Sequence, residues 1–279
     1  AYADDLTLLA PTRKALQIMI DICQGYATEF DVIFNGTKSI FLIFRGLQCN
    51  AENECFVYIN DEPVYSIDGA VHLGHSISTK DRDCMTNAAY AHFWKSFNIF
   101  FADFGHVYSY VKCKLFKQYC CSFYGSPLWS FNCFNRICVS WRKALRKFWN
   151  VPYLTHCDIV ALMSDCVPLE ISLKLGFCKF VNNILKNGNG LLRNVLKIAL
   201  RNPYSITSFN YNEIVGDYGN IFDSDINVII RKWYDDINDE TNSNVNMLRE
   251  MIDVRDGRLS CESLNRDDVL YIIDDICLN

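Results

Sequence analysis

Two adjacent carboxylates, Asp4 and Asp5, interrupt the apolar run of residues 1–10, whose sequence is AYADDLTLLA. Strand-forming stretches of this kind exclude acidic residues from their interiors, because burying an unpaired charge is costly. A bound divalent cation would compensate the charge, and Mg²⁺ prefers oxygen ligands such as carboxylates. At the tip of a β-hairpin, such a pair of Asp side chains can help to hold the two metal ions of a phosphoryl-transfer site.

The Asp-Asp dipeptide alone does not identify such a site. It also occurs at 235–236, 267–268 and 274–275. These three pairs have polar neighbours or follow helical spacing, which indicates the solvated face of acidic helices. The surroundings of Asp4 and Asp5 therefore carry the argument.

Residues 1–79 combine helical and strand patterns. Thr12 is a candidate N-cap, and the apolar spacing after it predicts a helix over 13–30. Residues 32–34 and 40–44 predict a hairpin around Asn35-Gly36, because Asn-Gly supplies the positive φ angles of a tight turn. Shorter strands are predicted around 55–60, 63–66 and 71–77, with bends at Gly69 and Gly74.

Residues 82–150 have the apolar spacing of helices. Two of these helices, at 111–124 and 136–149, each combine an apolar face with a basic one. Eleven basic and three acidic residues lie within 80–150, whereas 210–279 has six basic and sixteen acidic ones. We expect Trp141, Phe148 and Trp149 in the core. Further helices are predicted at 169–175, 177–185, 191–200, 223–238 and 242–253.

Composition excludes several other classes of protein. Half of the residues are hydrophobic, which is too many for a disordered chain. The fourteen cysteines include no Cys-x₂-Cys pair and lie mainly in apolar stretches, so we expect buried thiols in a reducing compartment, the nucleus or the cytoplasm, and no zinc. No window of about 20 uncharged apolar residues occurs, so no membrane association is expected.

The order of the motifs resembles the reverse transcriptases of non-LTR (LINE-like) retrotransposons over about residues 1–150. Tyr2-Ala3-Asp4-Asp5 resembles their catalytic hairpin, and Phe34-Asn35 followed by Lys38-Ser39 resembles the next palm motif. His72-Leu73-Gly74-His75-Ser76-Ile77 is similar to the strand and turn near their primer grip. The segment from Leu115 to Gly125, with Leu128-Trp129, is similar to their thumb helices.

This resemblance implies an α+β fold. The expected parts are a truncated palm at 1–79, built from β-hairpins and a helix, a helical thumb-like region at 80–152, and a helical, increasingly acidic region at 153–279. The implied activity is RNA-directed DNA polymerisation by two-metal nucleotidyl transfer. Mg²⁺, an RNA template, a DNA primer and a dNTP are the implied cofactor and partners of the parent enzyme.

The resemblance also implies roles for individual residues. Asp4 and Asp5 would ligate metal, and Tyr2 would lie near the primer end and the nucleotide. Lys38 would donate a proton to pyrophosphate or, alternatively, be a solvated turn lysine. His72 and Gly74 would place the primer, although hydrogen-bonded strand positions are the alternative for the histidines. The expected duplex-phosphate contacts, unless they form only a solvated helix face, are Lys114, Lys117, Arg142, Lys143, Arg146 and Lys147.

Such polymerases also need a third Asp on an earlier palm strand and a set of fingers, and no segment before Ala1 supplies them here. We therefore expect no primer extension by these 279 residues alone. Two other functions stay open: a non-enzymatic remnant that grips duplex through its basic helices, and a protein-interaction module that uses the acidic region.

Overall fold

The computed structural model describes residues 5–44, 55–81, 83–107, 109–164, 166–222 and 225–239. The fold is mixed α+β and divides into two compact units, Ala1–Met85 and Thr86–Asn279. The elements of the first part are α1 (Arg13–Glu29), β1 (Phe41–Leu42), β2 (Phe56–Ile59), β3 (Glu62–Ile67), β4 (Gly69–His72) and β5 (His75–Ser78). The helices that follow are α2 (Cys84–Phe104), α3 (Ser109–Cys120), α4 (Phe134–Trp149), α5 (Cys157–Met163), α6 (Leu169–Asn187), α7 (Gly190–Arg201), α8 (Ile206–Tyr218) and α9 (Val228–Asp239).

Helix α1 confirms the helix predicted at 13–30. Thr12 is its N-cap, and the Thr12 hydroxyl accepts a hydrogen bond from the Ala15 backbone N–H at 3.2 Å. The side-chain amide of Gln17 joins the helix to β2, because it accepts from the Tyr58 N–H at 2.7 Å and donates to the Tyr58 carbonyl at 3.0 Å. A small apolar core of Ile20, Phe41 and Val57 lies beneath the helix.

The strands form two small sheets, one of order β1-β3-β2 and one that pairs β4 with β5. The β2–β3 and β4–β5 pairs are antiparallel. Their tight turns have positive φ angles, 50° and 62° at Asn60 and Asp61, then 49° and 78° at Leu73 and Gly74. Two consecutive positive φ angles are typical of the type I′ turn that joins such strands. The strands predicted at 55–60 and 63–66 are thus confirmed as β2 and β3. The strand predicted at 71–77 is divided by the turn at Leu73-Gly74, as the predicted bend at Gly74 implies, and Gly69 begins β4 instead of forming a bend.

The hairpin predicted around Asn35-Gly36 is wrong. Neither residue has a positive φ, and β1 pairs with β3 in parallel instead of turning back on residues 32–34. The Asn35 carbonyl accepts from the N–H groups of Lys38 (3.2 Å) and Ser39 (3.0 Å), and its side-chain oxygen also accepts from Lys38 N–H (3.1 Å). Local hydrogen bonding by the Asn35 side chain therefore stabilises a helix-like turn, which does not reverse the chain as a hairpin turn would.

An aromatic core organises the second unit. Phe93, Phe97 and Phe100 of α2 are at most 2% exposed and pack around Phe116 of α3. Phe148 of α4 completes the cluster, with its ring centroid 5.8 Å from that of Phe116. Trp141 and Phe148 are buried as predicted. Trp149 is half-buried and donates its Nε1–H to the Ser164 hydroxyl at 2.8 Å.

The later helices depart from the prediction in two places. The helices expected at 169–175 and 177–185 are one continuous helix, α6, which includes Gly176. Helix α8 was not predicted, because Ser208 and Asn210 share its buried side with Ile214 and conceal the apolar period. Helix α9 corresponds to the prediction at 223–238, and the predicted helix at 242–253 lies outside the described residues.

A nearly buried lysine joins α6 to α8. The Lys174 ammonium lies 3.0 Å from the carboxylate of Glu213. The carboxylates of Glu170 and Asp217 lie slightly further from it, at 3.5 Å and 3.6 Å. Burial lowers the pKa of Lys174, but the hydrogen bond and charge of Glu213 outweigh it, and the pKa rises above its ordinary value of 10.5. The contribution to stability is therefore complete below pH 10.5 and is lost only as the pH rises through the folded-state pKa.

We expect Lys174→Met to lower the free energy of unfolding by about 2 kcal/mol, because the substitution leaves three carboxylates close together without their cation. The loss is smaller than for a fully buried ion pair, since these carboxylate side chains are 30–53% exposed. Chemical denaturation at pH 7 measures it, with Lys179→Met, an exposed lysine of the same helix, as the matched control. Equal stability of the two variants would contradict a stabilising role for the cluster.

Candidate functional site

Asp5 is the first residue that the structure describes, so Tyr2 and Asp4 lie outside the described residues. Asp5 forms a single β-bridge and is exposed. Within the described part of the chain, its carboxylate forms no ion pair and accepts no hydrogen bond. The group is therefore available to ligate a cation, and its oxygen donors fit Mg²⁺.

A hydrogen bond connects the segment after the Asp pair to the β4–β5 hairpin. The Thr7 hydroxyl lies 3.1 Å from Nε2 of His72, 65 residues further along the chain. The next residue, Leu8, packs against the apolar core under α1 and so fixes the segment in place. The structure therefore brings together two of the segments singled out in the sequence, the one that contains Asp5 and the one that contains His72.

The positions of His72 and Gly74 follow from the hairpin. His72 is the last residue of β4 and pairs across the turn with His75, the first residue of β5. Gly74 has a φ of 78°, a conformation that a side chain would strain. The turn itself thus requires a glycine here, whether or not a primer strand approaches it.

Lys38 does not join this group. Its side chain is exposed and makes no hydrogen bond or ion pair with another described residue. Its turn lies beside the first residue of β3, because a Cβ on Gly36 would meet the Glu62 carboxylate at 3.6 Å. The observed contacts therefore fit a solvated turn lysine, and none of them links Lys38 to Asp5 or His72.

The predicted phosphate-binding residues lie in the second unit, on α3 and α4. Lys114, Lys143 and Lys147 are exposed, whereas Lys117, Arg142 and Arg146 are half-buried.

Arg146 and Lys147 also have structural contacts. Arg146 donates from Nε and Nη2 to the Thr155 carbonyl at 2.9 and 2.7 Å, which holds the loop after α4. The Lys147 ammonium lies 4.8 Å from the centre of the Phe101 ring, a cation–π contact that still leaves the side chain exposed. Substituting Lys143 does not remove hydrogen bonds of the kind that Arg146 makes within the protein. Lys143 is therefore the better position for testing phosphate contact.

Sequence reasoning missed the contact made by Thr7. Its signal was the position itself, a hydroxyl two residues after Asp5 in an otherwise apolar run. In the strand that this run predicts, alternate residues would point to the same side, which would make Thr7 the candidate to accompany Asp5.

One cluster of metal-ligand types is found among the described residues, at His156, Cys157 and Asp158. Nδ1 of His156 accepts from the Asp158 N–H as the N-cap of α5, and one Asp158 oxygen accepts from Nε1 of Trp233 at 3.1 Å. Burial and the nearby Asp158 raise the pKa of the Cys157 thiol, which opposes the thiolate that a metal would need. These contacts are those of an N-terminal cap of α5.

Other thiols are also held in the protonated form. Burial raises the pKa values of Cys120, Cys138 and Cys178 to about 12. They therefore act as small apolar side chains.

Comparison with protein-family models, with curated proteins and with solved structures finds no match to this chain. Among the described residues, no helix is both long enough and apolar enough to cross a membrane.

Proposed function

We propose that this chain is part of a non-LTR-type reverse transcriptase, an RNA-directed DNA polymerase, and that its first unit belongs to the palm. The observation that carries the proposal is the Thr7–His72 hydrogen bond. It joins the segment that follows the Asp pair to the hairpin that resembles the primer grip. A catalytic carboxylate beside a primer-holding hairpin is the arrangement that primer extension requires.

In the proposed site, Asp4 and Asp5 would hold Mg²⁺. The bound metal supplies charge stabilisation for the attacking 3′-hydroxyl and the leaving pyrophosphate. The carboxylate of Asp5 is exposed, and the hydrogen bond between Thr7 and His72 holds the β4–β5 hairpin against the same segment. These residues therefore position metal and primer, and the nucleotide pocket is assigned to other parts of the enzyme.

The basic residues of the second unit support a grip on the product duplex. Phosphate contacts of Lys and Arg are independent of sequence, which suits a polymerase that must release and rebind every base pair. The same residues would serve a non-enzymatic duplex-binding remnant, the second candidate function. The exposed side chains of Lys114 and Lys143 favour both functions equally, and only a test of catalysis separates them.

We expect Lys143→Glu to weaken binding of an RNA–DNA hybrid by about tenfold and to reduce the slope of log K against log salt by roughly one. The physical reason is the loss of one phosphate contact together with the counterion that this contact releases. Fluorescence anisotropy over a salt series measures both quantities. Lys179→Glu, which makes the same change at an exposed lysine of α6, is the control and should leave the slope unchanged.

The duplex-binding role would be contradicted by hybrid binding that does not weaken with salt. It would also be contradicted if Lys143→Glu and Lys179→Glu weakened binding to the same extent, since the effect would then reflect net charge and not a defined contact surface.

A further inference from the structure

Helix α1 has a row of apolar side chains on the side away from its core. Four large side chains recur every four residues in this row and are 52–67% exposed: Ile18, Ile22, Tyr26 and Phe30. The buried residues of the helix, Ile20 and Ala27, lie about 140–160° around its axis from Ile22. The rings of Tyr26 and Phe30 touch, with their centroids 4.8 Å apart, so the row is continuous at its C-terminal end. We call it the α1 outer row, and a contiguous exposed row of this kind marks an interaction site.

One charge of each sign lies at the two ends of the α1 outer row. Lys14 precedes Ile18 by one turn, and Glu29 precedes Phe30 at the other end. At about 100° per residue, Glu29 lies about 20° around the helix from Ile22, and Lys14 lies about 80° from it in the same direction. Both side chains are exposed, and neither forms an ion pair with another described residue. The α1 outer row therefore fits a partner that has the same two charges in the opposite order.

Gly25 is a second observation on this side of the helix. It lies about 60° around the axis from Ile22, in the same direction as Lys14 and Glu29. Glycine destabilises a helix interior, yet Gly25 has no positive φ, and a Cβ at this position would meet no atom within 4 Å. Neither the backbone conformation nor a described neighbour therefore requires a glycine here. A second helix that approaches closely would use the space that the missing side chain leaves.

We propose that α1 pairs with α1 of a second copy of this chain in antiparallel orientation, with Ile22 at the two-fold axis. A two-fold axis across two antiparallel helices brings together residues on the same side of each helix. Lys14 of each copy then lies beside Glu29 of the other copy. Ile18 of each copy packs over Gly25 of the other. The four-residue spacing of the α1 outer row supplies the ridge that helices most commonly use for such packing.

The charges favour a second copy in this orientation over other occupants. A parallel pair of α1 helices would place like charges side by side, and a uniformly basic or acidic partner would match only one end of the α1 outer row. A small apolar contact with two exposed ion pairs indicates a reversible dimer with a dissociation constant in the micromolar range. The inference concerns only α1, and it does not depend on the proposed polymerase function.

Sedimentation equilibrium of the intact chain over a concentration series tests the proposal. We expect a reversible equilibrium between monomer and dimer. Ile22→Glu should raise the dissociation constant by about a hundredfold or more, because the two introduced carboxylates would meet at the two-fold axis. Ile198→Glu on α7 is the matched control, since Ile198 is 68% exposed and Ile22 is 67% exposed. The control should leave the dissociation constant unchanged.

Exchanging the two charges tests the orientation of the pair. At low salt, Lys14→Glu and Glu29→Lys should each raise the dissociation constant by about tenfold, because each change places like charges side by side twice in the dimer. The double variant Lys14→Glu, Glu29→Lys restores opposite charges and should return the dissociation constant to within about threefold of the wild-type value. A general loss of folding would not be rescued in this way.

Three results would overturn the proposal. The first is a chain that stays monomeric across the concentration series. The second is a dimer that Ile22→Glu weakens no more than Ile198→Glu does, since the contact would then lie elsewhere on the chain. The third is a double charge variant whose dimer is no tighter than those of the two single variants, which would exclude the antiparallel pairing of Lys14 with Glu29.

Discussion

Replacing Asn210 with leucine is expected to lower the free energy of unfolding of the second unit by about 3 kcal/mol. Asn210 lies on α8 and is fully buried. Its Nδ2 donates to the Trp129 carbonyl at 2.8 Å, and its Oδ1 accepts from the Phe131 N–H at 3.1 Å. Leucine has nearly the same size but no polar atoms. The substitution therefore leaves a carbonyl and an N–H unpaired in the core.

Asn212→Leu is the control for this prediction, because Asn212 is an exposed residue of the same helix. Urea denaturation gives the free energies, and a thermal scan should show Asn210→Leu melting roughly 6–12 °C lower than the wild-type chain. A melting temperature for Asn210→Leu equal to that of Asn212→Leu would show that the hydrogen bonds from α8 to the Trp129–Phe131 backbone contribute little to stability.

The fold could be predicted from the sequence wherever the apolar period was clear. Helix α1 begins after the Thr12 cap, and the buried face of α4 follows from the spacing of Ile137, Trp141 and Phe148. Helix α8 was missed because a satisfied polar residue such as Asn210 can occupy a core position, and a binary pattern counts it as surface. That interaction depends on partners about 80 residues away, which local spacing does not reveal.

Turn chemistry shows a second limit of sequence reasoning. Asn-Gly at 35–36 has the strongest short-range signal for a tight hairpin, yet Asn60-Asp61 and Leu73-Gly74 have the positive φ angles instead. Asn35 uses its side chain to accept from Lys38 N–H, which stabilises a different turn. Whether an Asn favours positive φ or a local side-chain hydrogen bond is decided by the strands available to pair on either side.

The sequence suggested residues for the candidate site but did not reveal the contacts between its segments. The carboxylates of the Asp pair were indicated by their apolar surroundings, and His72 by its resemblance to a family motif. The hydrogen bond from Thr7 to His72 joins segments 65 residues apart and depends on how the β4–β5 hairpin folds. Lys38 is the opposite case. It matches a family motif in the sequence, but among the described residues its side chain makes no contact with Asp5 or His72.

The largest effect is expected from removing the charge of the Asp pair. In the proposed enzyme, Asp4→Asn with Asp5→Asn keeps the side-chain shape but removes the negative charges that hold Mg²⁺. We expect templated incorporation to fall by about 10³-fold or more, which corresponds to roughly 4 kcal/mol of lost transition-state stabilisation. The exposed pair Asp235 and Asp236 on α9, changed to Asn in the same way, is the matched control.

The most direct measurement of the central claim is Mg²⁺-dependent extension of a DNA primer on an RNA template. It uses the polypeptide encoded by this sequence together with the coding sequence upstream of Ala1. The account predicts incorporation that is retained by Asp235→Asn, Asp236→Asn and abolished by Asp4→Asn, Asp5→Asn. Extension that is equal in the two double variants, or no extension by the unmodified polypeptide, would contradict it.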